Sequence, residues 1–123
     1  MLFSLLLLIL DLALRIGARF NRRLKLMMQT RNSAYVIMTK DGKIGRRFIF
    51  RNGRYLSDKL LTEYDMAMVF ENADIGFRTL AFGGDTGAQE AINNWKLKIR
   101  GDNYHLIWFS TVMAMALRQS ARK

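Results

Sequence analysis

The chain has 123 residues, no cysteine, no proline and a formal net charge of +10. That length holds one domain with a modest hydrophobic core, and the absence of cysteine excludes disulfides and thiolate chemistry. The whole excess of positive charge lies in residues 1–59, whereas residues 60–123 carry equal numbers of acidic and basic side chains. A basic half that contains a strongly apolar segment favours attraction to anionic lipid headgroups over attraction to nucleic acid.

Residues 1–31 form an apolar and basic helical segment, which we place outside the domain at residues 32–123. Apolar side chains recur there at helical spacing and predict a membrane-binding face, with Asp11 and the arginines on the other face. The predicted membrane-binding residues are Leu5, Leu8, Leu12, Ile16, Phe20, Arg15, Arg19, Arg22, Arg23 and Lys25. Charges at Asp11 and Arg15 interrupt the apolar run, which is therefore shorter than the roughly 20 residues of a membrane-spanning helix.

The start of the chain lacks a basic region before the apolar run and a small-residue cleavage site after it. A removable signal peptide is therefore not expected. The predicted localisation is cytoplasmic and peripheral on the inner membrane face. We expect the sheet and the later helices to form the core without residues 1–20, although the same helix is also compatible with packing on its own sheet or across a dimer interface.

Alternating apolar and polar residues predict the strands of a sheet. The predicted strands are residues 34–39, 44–51, 54–56, 64–70 and 96–100, with turns at 40–43 and at Asn52-Gly53. Helical patterns follow at residues 73–82, 86–94 and 104–117, and Asn72 or Asp74 can cap the first of them. The order predicts an α+β fold with an antiparallel-rich five-stranded sheet and helices on one face, preceded by the N-terminal helix.

The polar residues offer no catalytic set. The chain has one histidine and lacks the common metal, nucleophile and phosphate-binding fingerprints. His105 stands in an apolar run and is interpreted as a packed or surface residue, and the glycine-rich residues 83–87 as the junction of two helix caps. We therefore predict no catalytic residue, no metal site, no cofactor and no enzymatic activity.

The last predicted helix is apolar on more than one face, and the chain holds eight methionines. Such flexible side chains fill a core or line a pocket for a long apolar ligand. The predicted ligand-binding residues are Met66, Met68, Phe77, Leu80, Phe82, Leu97, Ile99, Trp108, Phe109 and Met113.

Four short motifs agree in order and spacing with a known family. They are Tyr64-Asp65-Met66-Ala67-Met68-Val69-Phe70, Asn72-Ala73-Asp74-Ile75-Gly76-Phe77, residues 88–94, and Lys96-Leu97-Lys98-Ile99-Arg100-Gly101-Asp102. Over about residues 33–117 the chain resembles the sterol carrier protein type of lipid-binding domain, a family that includes accessory factors of ubiquinone biosynthesis. The resemblance implies a hydrophobic tunnel between sheet and helices for acyl chains, sterols or isoprenoids.

Two features depart from that family. Trp95 stands where the family commonly has glycine and is expected to fill or reshape part of the tunnel. The N-terminal helix is far more apolar and basic than in soluble carriers, which favours work at a membrane surface.

Two functional hypotheses follow. The first is a non-enzymatic lipid-binding protein that holds an acyl, sterol or isoprenoid (quinone-like) ligand at an anionic membrane surface, as an accessory factor for quinone biosynthesis. The alternative is an assembly subunit with a closed core, whose N-terminal helix makes protein–protein or homodimer contacts. Nucleic acid is disfavoured because Phe20, Tyr35 and Tyr55 are too few and too scattered among the basic residues to form a stacking surface.

Overall fold

The computed structural model describes residues 2–82, 92, 94–101 and 104–121, and among these leaves out the side chains of residues 80–82, 104, 114 and 117–121. Its elements are α1 (Leu2–Phe20), α2 (Arg22–Met28), β1 (Ser33–Thr39), β2 (Gly45–Arg51), β3 (Arg54–Asp58), β4 (Met66–Phe70), α3 (Ala73–Phe82), β5 (Leu97–Gly101) and α4 (Tyr104–Ala121). The predicted helix at 86–94 falls almost entirely outside the described residues. The Asn72 side chain caps α3 by accepting a 2.9 Å hydrogen bond from the Ile75 amide.

The five strands form one mixed sheet in the order β3-β2-β1-β4-β5. β1 runs parallel to β4, and the other three neighbouring pairs are antiparallel. Asn52 (φ 53°) and Gly53 (φ 75°) join β2 to β3 in a two-residue turn, because these residue types tolerate the left-handed conformation. The predicted α+β class and antiparallel-rich five-stranded sheet are confirmed.

The two faces of the sheet are covered differently. The inner face packs against all the described helices in one large hydrophobic cluster. The outer face carries a smaller cluster, in which Leu61 and Tyr64 of the loop before β4 pack on apolar side chains of β1 and β4. The prediction of helices on one face is therefore confirmed.

Helix α1 packs in the main core, which agrees with the alternative of packing on its own sheet and not with the first expectation. Phe3, Leu7, Leu10 and Leu14 are at most 2 % exposed and belong to the same cluster as the sheet. The Phe3 ring meets the Phe70 ring edge-on at 5.7 Å. The core therefore crosses the predicted boundary at residue 31, and the expectation of a core complete without residues 1–20 is not met.

Close packing at the start of α1 depends on a glycine in α3. A Cβ at Gly76 would lie 2.8 Å from the Phe3 ring, closer than real side chains approach. Glycine thus lets α1 approach the backbone of α3. Because Leu2 to Leu10 is almost wholly apolar, the helix can bury one apolar face and still carry a second.

Asp11 was predicted to lie on the polar face of α1, but it is buried, with 5 % exposure. Its carboxylate accepts a 2.6 Å hydrogen bond from the Tyr55 hydroxyl of β3 and a 3.4 Å bond from Arg15 Nε. Arg46 Nη1 of β2 lies 3.6 Å from the same carboxylate. The correction has a physical reason, since a buried carboxylate is tolerated when it is paired and hydrogen-bonded.

The surroundings of this network set the protonation of its members. Burial by itself raises the pKa of Asp11, but hydrogen bonds from Tyr55 and Ser57 and the charge of Arg15 bring it below its ordinary value. Burial, and then the Asp11 carboxylate, raise the pKa of the Tyr55 hydroxyl far above its ordinary value. At neutral pH the acid is therefore charged and the phenol is protonated, and together they fix α1 to the edge strand β3.

Candidate lipid-binding site

The fold gathers most of the predicted ligand-binding residues on the inner face of the sheet. Strands β4 and β5 and helices α3 and α4 bring eight of them into the main hydrophobic cluster. These are Met66, Met68, Phe77, Leu97, Ile99, Trp108, Phe109 and Met113. The side chains of Leu80 and Phe82 lie outside the described part of the chain. That the eight contact a ligand stays a prediction.

Aromatic rings fill the space between β1, β2 and α4. The ring of Tyr35 stacks on Phe109 at 4.7 Å and lies 5.7 Å from the ring of Trp108. Phe50 meets Trp108 edge-on at 5.1 Å. Tyr35 was not among the predicted lining residues, although its position in a β-branched strand indicates burial. These rings pack against one another, and offset or edge-on pairs of this kind stabilise a core.

The start of α4 is attached to the rest of the fold by a polar cluster. The Tyr35 hydroxyl lies 3.0 Å from His105 Nδ1, and Arg31 Nη1 lies 3.2 Å from the same nitrogen. A guanidinium only donates, so Nδ1 is the acceptor and a neutral His105 carries its proton on Nε2. The indole of Trp108 donates to Thr30 Oγ1 at 2.9 Å. His105 is thus half-buried and hydrogen-bonded, in keeping with its interpretation as a packed residue.

The face of α1 that points away from the sheet is apolar and exposed to solvent. The predicted residues Leu5, Leu8, Leu12 and Ile16 are between 43 and 52 % exposed. We call these four residues, together with the exposed Leu2 and Ile9, the α1 stripe. Between residues 2 and 14 of the helix, Ser4 is the one exposed residue that does not belong to the α1 stripe.

The predicted membrane-binding cations surround the end of this stripe. Arg15 and Arg19 stand on the last turns of α1, and Arg22, Arg23 and Lys25 are on α2, all of them exposed. Phe20, at the end of α1, is 76 % exposed. No acidic residue occurs in the sequence between Asp11 and Asp41. The apolar stripe therefore runs into a purely basic surface.

A groove lies along the flank of α1 where the helix passes the start of β2. Its volume is about 550 Å³, and its lining residues are Ser4, Leu5, Leu7, Leu8, Ile44, Gly45, Arg46 and Lys59. Sequence reasoning did not predict this groove. The sequence did contain one indication of the groove. The alternation in β2 places Arg46 on the same strand face as Ile44, Phe48 and Phe50, which is the face towards the helices.

Trp95 does not fill the space between sheet and helices. Its side chain is 82 % exposed, which corrects the expectation that it reshapes a tunnel. Its backbone has φ 63°, in the left-handed region that favours glycine.

Within the described residues, none of the helices combines the length and hydrophobicity needed to cross a bilayer. The same part of the chain contains no group of three or more histidine or acidic side chains placed to hold a metal ion.

No protein-family model and no curated protein sequence matches the chain. Several solved structures share its architecture, among them the following three. A structure titled UbiJ-SCP2 ubiquinone synthesis protein aligns with a TM-score of 0.65 at 12 % identity, over 84 % of this chain and 88 % of its own. Apo sterol carrier protein 2 from Yarrowia lipolytica gives a TM-score of 0.62 at 11 % identity, over 86 % and 88 % of the two chains.

The third structure is a conserved hypothetical protein from Thermus thermophilus. It aligns with a TM-score of 0.54 at 12 % identity, over 89 % of this chain and 82 % of its own. At such low identities the likeness establishes the fold alone. The chain therefore has the fold of the sterol carrier proteins.

Proposed function

We propose that this protein is a non-enzymatic lipid-binding protein that works at an anionic membrane surface, peripheral on its inner face. Its ligand is an acyl chain, a sterol or a quinone-like isoprenoid, held between the sheet and the helices. Two of the similar structures support this proposal, since one is titled a sterol carrier protein and the other a ubiquinone synthesis protein. A role as an accessory factor in quinone biosynthesis agrees with the second title.

The observation that carries the proposal is the second apolar face of α1. One face is buried in the core, so the helix is held in place without help from a partner. The α1 stripe nevertheless exposes adjacent large aliphatic side chains to water, and contiguous patches of this kind mark interaction surfaces. An apolar helical face next to a basic cluster fits the interface of an anionic membrane, where each nearby cation contributes about 1 kcal/mol.

The ligand part of the proposal rests on the inner face of the sheet. Met66, Met68 and Met113 lie among the predicted lining residues that the fold brings together. Methionine side chains adapt to apolar groups of variable shape, so a ligand can enter by their rearrangement. The eight predicted lining residues in that cluster carry no charge, so they would contact the apolar part of the ligand.

The alternative function is an assembly subunit whose core is closed. The same α1 stripe supports it, because two copies can cover each other's stripes around a two-fold axis. Native mass spectrometry of protein extracted gently from its own cells separates the two. A bound lipid or quinone mass supports the carrier, whereas a ligand-free dimer supports the assembly subunit.

The membrane part is tested by charge reversal. Replacing Arg19, Arg22 and Arg23 by glutamate is expected to weaken binding to anionic vesicles about 100-fold, since at least three contributions of about 1 kcal/mol are lost. The matched control reverses Lys96, Lys98 and Arg100, which are exposed on and beside β5, and is expected to bind almost as the wild type does. Vesicle sedimentation measures the binding of the charge-reversal variant and of the control.

Salt supplies an independent check of the same prediction. Raising the ionic strength from about 0.1 M to about 1 M shortens the Debye length from about 10 Å to about 3 Å and should weaken wild-type binding. Equal binding of the wild type to neutral and to anionic vesicles would contradict the proposal.

A further inference from the structure

The groove beside α1 has the composition of a site for an amphiphile. Its volume of about 550 Å³ falls within the range of about 300–1,000 Å³ that is usual for small-molecule sites. Leu5 and Leu8 of α1 together with Ile44 make part of its lining apolar, whereas Arg46 and Lys59 supply two cations. None of the eight lining residues is acidic.

The charges around the groove do not cancel. Two carboxylates are nearby: Asp11 is shared between Arg15 (3.4 Å) and Arg46 (3.6 Å), and Asp58 is paired with Arg47. With the Asp58–Arg47 pair taken as neutral, Arg15, Arg46 and Lys59 against Asp11 leave a charge of +2. A buried network therefore holds Arg46 in position, since its Nη1 also donates to Ser57 Oγ at 3.3 Å.

Lys59 is the more accessible of the two cations. It is exposed and forms no ion pair with a described residue. Its neighbour Asp58 is engaged elsewhere, because it accepts a 2.9 Å hydrogen bond from Arg47 Nε. The ammonium group of Lys59 is thus available to an anion that enters the groove.

The groove is continuous with the proposed membrane-binding surface. Leu5 and Leu8 line the groove and also belong to the α1 stripe, with 52 and 43 % of their surfaces exposed. A helix that lies in the interface with this stripe towards the acyl chains places its flank at the level of the headgroups. The open side of the groove then meets phosphate groups first.

From these observations we propose that the groove binds one anionic phospholipid of the bilayer. Lys59 and Arg46 hold the phosphate of the headgroup, and the first part of an acyl chain lies along Leu5 and Leu8. The proposal rests on the membrane docking proposed above and gives it a specific lipid contact, separate from the ligand between sheet and helices. No covalent step is involved.

One substitution pair tests the contribution of this site to docking. Lys59→Gln is expected to weaken binding to vesicles of phosphatidylcholine with phosphatidylglycerol about fivefold, the equivalent of about 1 kcal/mol. Lys98→Gln removes the same charge from an exposed lysine on the outer face of the sheet. This variant is expected to weaken vesicle binding by less than about twofold. Equal losses for the two variants would mean that net charge alone matters and would overturn the proposal.

A second measurement reports on the groove without a bilayer. Amide chemical shifts of Ile44 and Gly45 are followed while short-chain phosphatidylglycerol is added below its micelle concentration. Shifts at these two amides are expected with this lipid, and Ser4→Phe, which places a ring in the groove, is expected to abolish them. No shift, shifts that persist in Ser4→Phe, or equal shifts with short-chain phosphatidylcholine or with inorganic phosphate alone would each overturn a site for an anionic amphiphile.

The two measurements separate the failure of this proposal from the failure of the proposed function. Amide shifts in a protein that does not bind vesicles would support the groove site and contradict membrane docking. Vesicle binding without shifts at Ile44 and Gly45 would leave the docking intact and contradict the groove site.

Discussion

Deletion of residues 1–20 is expected to leave a chain that no longer folds cooperatively. The deletion removes four large side chains of α1 that are at most 2 % exposed: Phe3, Leu7, Leu10 and Leu14. Burying each is worth about 1.5–3 kcal/mol, so their sum of about 6–12 kcal/mol matches the usual total stability of about 5–15 kcal/mol. Circular dichroism and urea unfolding of the truncated chain measure the effect.

A matched pair within α1 gives the same test on the intact chain. Leu14→Ala opens a cavity at a fully buried position and is expected to cost about 2–5 kcal/mol in free energy of unfolding. Leu12→Ala, at a position that is 51 % exposed, is expected to change it by less than about 0.5 kcal/mol. A truncated chain that unfolds cooperatively with an unchanged midpoint would show that residues 21–123 form a complete core without α1.

Replacing Leu5, Leu8 and Leu12 by glutamine is expected to abolish most vesicle binding and to leave the fold intact. Each of the three is about half exposed, so each can still bury apolar surface in the interface. This burial contributes about 1 kcal/mol per residue to the free energy of membrane binding. Together they account for about a 100-fold change in partitioning. Glutamine is a good helix former, so α1 should remain helical.

The control for this prediction changes exposed aliphatic residues elsewhere. Leu56 on the outer face of β3 is 53 % exposed and Ile107 on α4 is 73 % exposed. Replacement of both by glutamine is expected to alter vesicle sedimentation by less than about twofold. If this control loses as much binding as the α1 variant, the surface responds to hydrophobicity in general and the α1 stripe has no special role.

The periodicities of the sequence located the elements well and the packing of α1 poorly. Alternation placed β4 and β5 near their observed bounds, and the cap at Asn72 fixed the start of α3. In α1, by contrast, nearly every position from Leu2 to Leu10 is apolar, so the pattern cannot say which face is buried. A pattern of this kind shows which faces of a helix are apolar, but it does not show whether a face packs on the sheet, on another protein or on a membrane.

Sites built from distant parts of the chain were the least predictable. The Asp11 network needs Tyr55 and Arg46, which the sequence separates from α1 by more than twenty residues. The groove likewise joins residues 4–8 to Arg46 and Lys59. Residues that lie on one face of one strand, such as Met66 and Met68, were identified correctly as inward-facing, because a single periodicity places them.

We expect the α1 stripe to enter a membrane interface while the outer face of the sheet stays in water. Because the chain has no cysteine, a single introduced cysteine carries a nitroxide label at one defined position. Labels at Leu12→Cys and Leu56→Cys are compared by their collision rates with oxygen, which concentrates in the bilayer, and with a water-soluble nickel chelate.

On anionic vesicles, the label at position 12 is predicted to lose contact with the chelate and gain contact with oxygen, whereas the label at position 56 keeps its aqueous values. Membrane docking through α1 is contradicted if the label at position 12 stays as accessible to the chelate as the label at position 56. It is equally contradicted if that label becomes protected without vesicles as the protein concentration rises, because a second copy of the chain would then cover the stripe.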